Sequence, residues 1–175
     1  MRRILLSCAS LAVLLLPAAA SARSGGHAKS GLLVVRKALG DGGIFGPPVA
    51  TVVLVKGFVL GRVTQEARVD IYQLPTTAGE GAPQVKGPDV KTSPVRWHHF
   101  TGKRYRGSGF RFSAIGGAYR IVVWGSGVYL FAGGRGTVRL QGSSVYPRSD
   151  GTFSIDGGQP RSLPKQPLDH KIGRG

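Results

Sequence analysis

A basic and aromatic segment from Arg96 to Arg111 carries the clearest chemical signal in the sequence. Charge this dense attracts polyanions, and aromatic faces add stacking on bases or sugar rings. Single-stranded nucleic acid and an anionic cell-wall polymer both fit, while the alternative is a solvated basic face whose rings point into the core. The residues predicted to bind an anionic polymer are Arg96, Trp97, Lys103, Arg104, Tyr105, Arg106 and Arg111, and no carboxylate lies among them.

Carboxylate catalysis has a weaker basis in the sequence. A glycosidase with paired carboxylates would have to use Glu66 together with Asp70 or Asp156. Glu66 and Asp70 lie four residues apart around one predicted strand, a spacing that allows them to share a face. Arg62 and Arg68 are their neighbours in the chain, however, so surface ion pairing explains these acids better than catalysis does.

Metal ligands and nucleophiles are equally poorly supported. His98 and His99 are adjacent, and adjacent strand residues point to opposite faces, which prevents both from binding one metal unless a bulge intervenes. Ser108 and Ser126 lie in Gly-Ser-Gly turns that lack the Gly-x-Ser-x-Gly spacing of a nucleophile elbow. We therefore predict no catalytic, metal-binding or cofactor-binding residue, and we favour a protein that is not an enzyme over the alternative of a secreted hydrolase with an unrecognised site.

The first 22 residues have the pattern of a secretory signal peptide. Positions 2 and 3 are arginine, an apolar run follows over Ile4–Leu16, and small residues lead to a cleavage site after Ala22, with Ala20 as the alternative. This run is shorter than the about 20 residues that span a bilayer core. Cleavage would remove Cys8, the sole cysteine. We expect a secreted, extracellular or cell-wall-associated protein with no transmembrane segment after cleavage.

Composition favours one packed domain with a positive surface. The 175 residues include 24 Lys or Arg and 8 Asp or Glu, which gives a formal net charge of +16. One cysteine excludes an internal disulfide framework. Packing of apolar side chains must therefore provide the stability, and a chain of this length buries enough surface for that purpose.

Short apolar runs separated by glycine predict an all-β fold, since no window shows sustained helical spacing. We predict a predominantly antiparallel two-layer β-sandwich, with a partly open β-barrel as the alternative. The glycine groups between Phe110 and Gln141 predict a meander of hairpins. The predicted strands are Leu32–Lys37, Ala50–Lys56, Phe58–Thr64, Arg68–Leu74, Val95–Phe100, Phe110–Ala114, Ala118–Trp124, Val128–Ala132, Thr137–Gln141 and Thr152–Asp156.

Alternation within these runs predicts which side chains point inward. Val69 and Ile71 are expected inside, with Arg68 and Asp70 outside. The run Val52–Val55 is apolar on both faces, which predicts a central strand covered from both sides.

Proline and glycine divide the chain into segments. The stretch 75–94 contains four prolines and no aromatic residue, which is typical of a long flexible loop. Both ends have a similar composition. We predict a signal peptide (1–22), a flexible N-terminal segment (23–31), a β domain (32–156) and a flexible C-terminal tail (157–175).

Two glycine-bounded strands within Tyr119–Pro164 support a family resemblance. The stretches Gly134–Gly142 and Asp150–Gly158 resemble those of small secreted glycine-rich β proteins of high-GC Gram-positive bacteria, the actinobacteria. The function of those proteins is unknown. The resemblance implies an exported bacterial protein and supplies no active site.

Three functions from different classes are consistent with these features. We favour a non-catalytic envelope or extracellular protein that associates with anionic surface polymers and needs no small-molecule cofactor. A secreted hydrolase would require a cleft with converging polar groups. A structural or assembly subunit would require a free sheet edge or a large exposed apolar patch. The oligomeric state is not encoded in any pattern that we find.

Overall fold

The computed structural model describes residues 31–75, 81–144 and 151–173. The predicted signal peptide, its cleavage site, Cys8 and most of the predicted N-terminal segment lie outside this range. The described residues contain no helix, and hence none long and apolar enough to span a membrane. The fold is all-β, as predicted, and its single antiparallel sheet is not closed into a barrel.

The sheet has ten strands in its described part. They are β1 (Gly31–Leu39), β2 (Ala50–Val63), β3 (Ala67–Gln73), β4 (Gln84–Lys86), β5 (Lys91–Trp97), β6 (Phe100–Gly107), β7 (Arg111–Leu140), β8 (Thr152–Ile155), β9 (Arg161–Ser162) and β10 (Leu168–Ile172).

The long strand β7 organises the sheet because it pairs with both edges of β2. Its residues 111–123 follow one edge of β2, and its residues 128–140 follow the other. As the residue number increases along β2, the residue number of its partner in β7 decreases in both pairings, so both pairings are antiparallel. For example, Thr51 lies between Val122 and Arg139. β7 therefore winds past β2 twice and holds it at the centre of the sheet.

The remaining strands extend the sheet from the free edges of β7. β3 and β4 pair with its first part, while β1 and β10 pair with its second part. β6 and β5 continue beyond β3, and β8 and β9 continue beyond β1. The path across the sheet thus begins at β5 and ends at β9.

The predicted meander of hairpins between Phe110 and Gln141 is wrong, because these residues form one continuous strand. The glycines bend the strand instead of reversing it. Gly116, Gly125 and Gly127 have φ angles of 85°, 107° and 65°, which side chains other than glycine rarely adopt. At Gly116 the pairing also skips a residue, since Phe58 faces Ile115 and Gly57 faces Gly117. Such bulges increase the local bend and twist of a strand.

The winding sheet packs its inward side chains into one core, as the layers of a β-sandwich do. Val69 and Ile71 are buried in this core, as predicted for β3, but Asp70, which was expected outside, is buried as well. Tyr119 is fully buried as well, and its hydroxyl donates a hydrogen bond of 2.7 Å to the Gly81 carbonyl oxygen. Burial of these apolar side chains supplies the main stabilisation, about 1.5–3 kcal/mol for each large one.

The prediction for Val52–Val55 is correct in one respect and wrong in another. β2 is central, since both of its edges are hydrogen-bonded to β7. Its outer face is not covered, however, and Val55 is 56% exposed. Apolar residues on both faces of this strand therefore mark an open outer surface.

Two segments predicted to be flexible contain strands. Within the predicted loop 75–94, β4 pairs with the start of β7, and β5 begins at Lys91; residues 76–80 lie outside the described range. Within the predicted tail 157–175, β10 pairs with the end of β7. Leu163 and Ile172 anchor this segment by burying their side chains in the core. A few well-placed apolar residues are enough to order a segment rich in glycine and proline.

Candidate functional site

The residues of the predicted binding segment divide between two faces and two strand pairs. β5 and β6 form a hairpin whose two turn residues are His98 and His99. Alternation then separates Trp97, Arg104 and Arg106 on the outer face from Arg96, Lys103 and Tyr105 on the opposite face. Arg111 lies apart, at the start of β7.

Tyr105 is part of the hydrophobic core and offers no free ring to a ligand. Only 8% of the residue is exposed, and burial raises the pKa of its hydroxyl. Trp97, by contrast, lies on the outer face. The structure therefore brings together the outward residues of the predicted segment, and it adds partners from β3 and β7.

Three cations lie side by side in one row across the outer face. Lys91 of β5 pairs with Arg106 of β6, which pairs with Arg68 of β3. The next residue in the row is Trp124 of β7. Neighbouring strands are about 4.8 Å apart, so the three cationic residues span about 10 Å. Like charges directly opposite each other destabilise a sheet, so this row is kept at a cost in stability.

A second row centres on a buried carboxylate. Asp70 is 1% exposed and accepts two hydrogen bonds from Arg104, at 2.8 Å from Nε and 2.7 Å from Nη2. The Asp70 hydrogen bond raises the pKa of Arg104. Arg68 is 3.5 Å from the same carboxylate, but burial lowers its pKa. Asp70 thus fixes two arginines of neighbouring strands.

The aromatic rings of this face are covered by arginine. The guanidinium carbon of Arg68 lies 3.6 Å from the centre of the Trp124 ring. That of Arg120 lies 4.3 Å from the centre of the Trp97 ring and 5.4 Å from that of Tyr72. Burial lowers the pKa of Arg120 and raises that of Tyr72. These cation–π contacts hold the guanidinium groups in place and occupy ring surface that a base would need for stacking.

Charge compensation within this face is incomplete. We call this outer surface of β3, β5, β6 and β7 the arginine–tryptophan face. Its members are Arg68, Asp70, Tyr72, Lys91, Trp97, Arg104, Arg106, Arg120 and Trp124. It carries five cations and one carboxylate. Within the described structure, the buried Nε groups of Arg68 and Arg106 have no hydrogen-bond acceptor. The arrangement can bind anions, and its single carboxylate is already engaged by arginine.

A cleft of about 490 Å³ lies on the opposite face of β5 and β6. Its floor includes Ile71 and Tyr105, and its polar groups include Thr92, Thr101 and Lys103. None of its described lining residues is a carboxylate, histidine or cysteine. Across residues 31–75, 81–144 and 151–173, moreover, no three His, Cys, Asp or Glu side chains are grouped so that they could hold a metal ion.

The predicted binding residues do not include six members of the face, namely Arg68, Asp70, Tyr72, Lys91, Arg120 and Trp124. Alternation placed Arg68 and Asp70 on the outer side of β3, but only the pairing register shows that they lie beside Arg106 and Arg104. Lys91 was assigned to the predicted loop. One sequence feature could have indicated this face. Arg68, Asp70 and Tyr72 alternate along one side of β3, so a single acid lies between a cation and an aromatic residue.

Comparisons with known proteins provide no further assignment. No protein-family model, curated protein or solved structure matches this chain. The function of the protein therefore has to be inferred from the chemistry of its surfaces.

Proposed function

We propose that the protein is a secreted, non-catalytic envelope or extracellular protein that binds an anionic surface polymer through the arginine–tryptophan face. The row formed by Lys91, Arg106 and Arg68 carries the proposal. Three neighbouring cations repel one another, and a bound anion removes this repulsion. Arg68 has Asp70 as a counter-charge, whereas Lys91 and Arg106 have no ion pair with a described residue, so a bound anion supplies the charge that they lack.

The size of the face favours a polymer over a small anion. The cationic row crosses three strands, and Arg104 and Arg120 lie in successive rows farther along β3 and its neighbours. Successive rows are about 7 Å apart along the strands. A chain with regularly spaced negative groups can contact several rows at once, and it releases a counterion for each contact.

The positions of the arginines favour recognition of charge over stacking. Trp97 and Trp124 already have guanidinium groups over their rings. A nucleotide base would have to displace an arginine before it could stack there. Phosphate, sulfate or carboxylate groups can approach the guanidinium edges without that displacement. This difference favours an anionic wall polymer over single-stranded nucleic acid.

Export and envelope location are part of the proposal. They are supported by the signal-peptide pattern of residues 1–22 and by the resemblance to secreted glycine-rich β proteins of actinobacteria. A non-catalytic role is supported by the arginine–tryptophan face itself, whose only acid is buried and bound to arginine.

The assembly-subunit alternative has less support. Such a role would use the free edge of β5 to add a strand from another chain. Pro94 lies in this edge strand and lacks a backbone N–H group, and Lys91 begins it. Proline and lysine in an edge strand are typical ways of preventing such pairing.

The test compares binding of Arg106→Gln and wild type to a purified phosphate-rich wall polymer over a range of salt concentrations. Arg106 is suitable because its guanidinium has no ion pair with a described residue. Arg104 is unsuitable because its loss would leave Asp70 buried without its main partner. Arg161→Gln is the matched control, since it removes the same charge from exposed strand β9.

We expect wild-type affinity to fall steeply with salt. Arg106→Gln should weaken binding at low salt and reduce the slope of log affinity against log salt by about 0.7, the contribution of about one contact. Equal binding by Arg106→Gln and Arg161→Gln would contradict the proposed site. A single-stranded oligothymidine measured in parallel separates the ligands, because tighter binding to it would assign the face to nucleic acid.

A further inference from the structure

A second surface combines exposed apolar side chains with cations, and it shares no residue with the arginine–tryptophan face. It lies on the outer side of β2, both parts of β7, β1 and β4. We call it the amphiphilic patch. Its apolar members are Val34, Phe58, Leu60, Ile115 and Phe131, and its cationic members are Arg36, Arg62, Lys86 and Arg111.

The apolar part is a continuous strip across β1, β2 and both parts of β7. Leu60 pairs with Phe131, which pairs with Val34. Phe58 contacts Phe131, with ring centres 5.5 Å apart, and it pairs with Ile115. Ile115, Leu60 and Phe131 are 58%, 40% and 38% exposed. A cluster of this kind on an open sheet face indicates an interaction surface.

The cations lie in the row next to this strip. Arg62 pairs with Arg111 on one side and Tyr129 on the other, and Arg111 also pairs with Lys86. A shallow groove of about 290 Å³ joins the two rows, because Arg36 and Arg62 line it together with Leu60 and Phe131. The cationic row is about 7 Å from the apolar row.

From this geometry we infer that the amphiphilic patch docks on an anionic lipid surface. Leucine and phenylalanine side chains enter the boundary between headgroups and acyl chains, while arginine and lysine extend to the phosphates. The two rows provide both interactions on one face. None of the patch residues is acidic, which suits a surface of uniform negative charge.

Other occupants fit the patch less well. In a symmetric dimer the same patch would face its own copy, so its four cations would be brought together without a carboxylate. A hydrated polyanion would satisfy the cations but would leave the apolar strip against water. An anionic lipid surface satisfies both rows.

The test measures sedimentation with vesicles of phosphatidylcholine alone and of phosphatidylcholine with phosphatidylglycerol. All variants share one N terminus, so any binding by the apolar run 4–16 is common to them. Phe131→Ser removes an apolar member, and Leu168→Ser is its control, because Leu168 is 39% exposed in β10 at the other end of β2. Arg62→Gln removes a cation, with Arg161→Gln as its control.

We expect binding to increase with phosphatidylglycerol content. Phe131→Ser should weaken it about tenfold, and Arg62→Gln about fivefold, only on the anionic vesicles. Leu60→Ser repeats the first test in case Phe131→Ser does not fold. Equal binding by Phe131→Ser and Leu168→Ser would overturn the inference, as would a change of oligomeric state in place of vesicle binding. Phe131→Ser should bind the phosphate-rich wall polymer with the affinity of the wild type, which separates this result from that of the proposed function.

Discussion

The outer surfaces of β3 and β2 use arginine in different ways. On β3, Arg68 packs on a tryptophan ring and beside the buried Asp70, which Arg104 of the next strand also binds. On β2, Arg62 lies between Arg111 and Tyr129, next to an exposed apolar strip. The first surface has arginines held in place by the protein. The second has arginines that form no ion pair with a described carboxylate.

This contrast shows that charge density alone does not describe a basic surface. Fixed guanidinium groups present donors at defined positions and suit a ligand with regularly spaced anions. Cations beside exposed apolar side chains suit a surface that offers both phosphates and hydrocarbon. The comparison between the two faces leads to two predictions about stability, and an exposed ion pair outside both faces gives a third prediction about ionisation.

The largest effect is expected for Asp70→Asn. This substitution leaves Arg104 and Arg68 without their shared counter-charge in a partly buried row of cations, and loss of one partner from a buried ion pair costs about 3 kcal/mol. Urea unfolding measures the change. Asp169→Asn is the control, because Asp169 has a similar bidentate contact with Arg139 but is exposed. A similar loss of stability in both variants would show that Asp70 does not organise its face.

A smaller difference is expected between Arg120→Gln and Arg62→Gln. Arg120→Gln removes a guanidinium from the rings of Trp97 and Tyr72, which should reduce the free energy of unfolding by about 1 kcal/mol. Arg62→Gln removes a cation that faces Arg111, so stability should change by less than about 0.5 kcal/mol. Acrylamide quenching of tryptophan fluorescence should increase only in Arg120→Gln. Equal effects on stability would remove the distinction between fixed and free arginines.

The smallest effect concerns the exposed pair of Arg139 and Asp169. The hydrogen bond from Arg139 lowers the pKa of Asp169 below its usual value of 3.8. A lowered folded-state pKa stabilises the protein above pH 3.8, and this contribution is lost as the pH falls through the folded-state pKa. In Arg139→Gln, carboxyl titration by NMR should show the Asp169 pKa closer to 3.8. An unchanged titration would mean that this surface pair does not form in solution.

Local features of the fold could be predicted from the sequence, and long-range pairing could not. Alternation correctly placed Val69 and Ile71 inside, because the period of a strand is independent of its neighbours. The glycines of β7 were interpreted as hairpin turns. Positive φ is compatible with both a turn and a bulge, and pairing with distant β2 decides between them.

The candidate site shows the same limit. The prediction of Arg104 and Arg106 rests on the density of cations within the segment 96–111, which is a local property of the sequence. Their neighbours Asp70 and Arg68 come from a strand more than thirty residues earlier, and they meet only through the register of β3 and β6. The amphiphilic patch escaped prediction for a similar reason, since its rows draw on four separate segments of the chain.

The double pairing of β2 also affects the order in which the protein can fold. β2 emerges from the ribosome early, yet Ala50 pairs with both Val123 and Leu140. Neither edge of β2 can be completed until β7 has been made, and contacts so distant in sequence form slowly. Strand β2 therefore stays unpaired during most of the synthesis of the chain. This order suits the export proposed above, because a chain whose sheet is completed late has not folded before it enters an export channel.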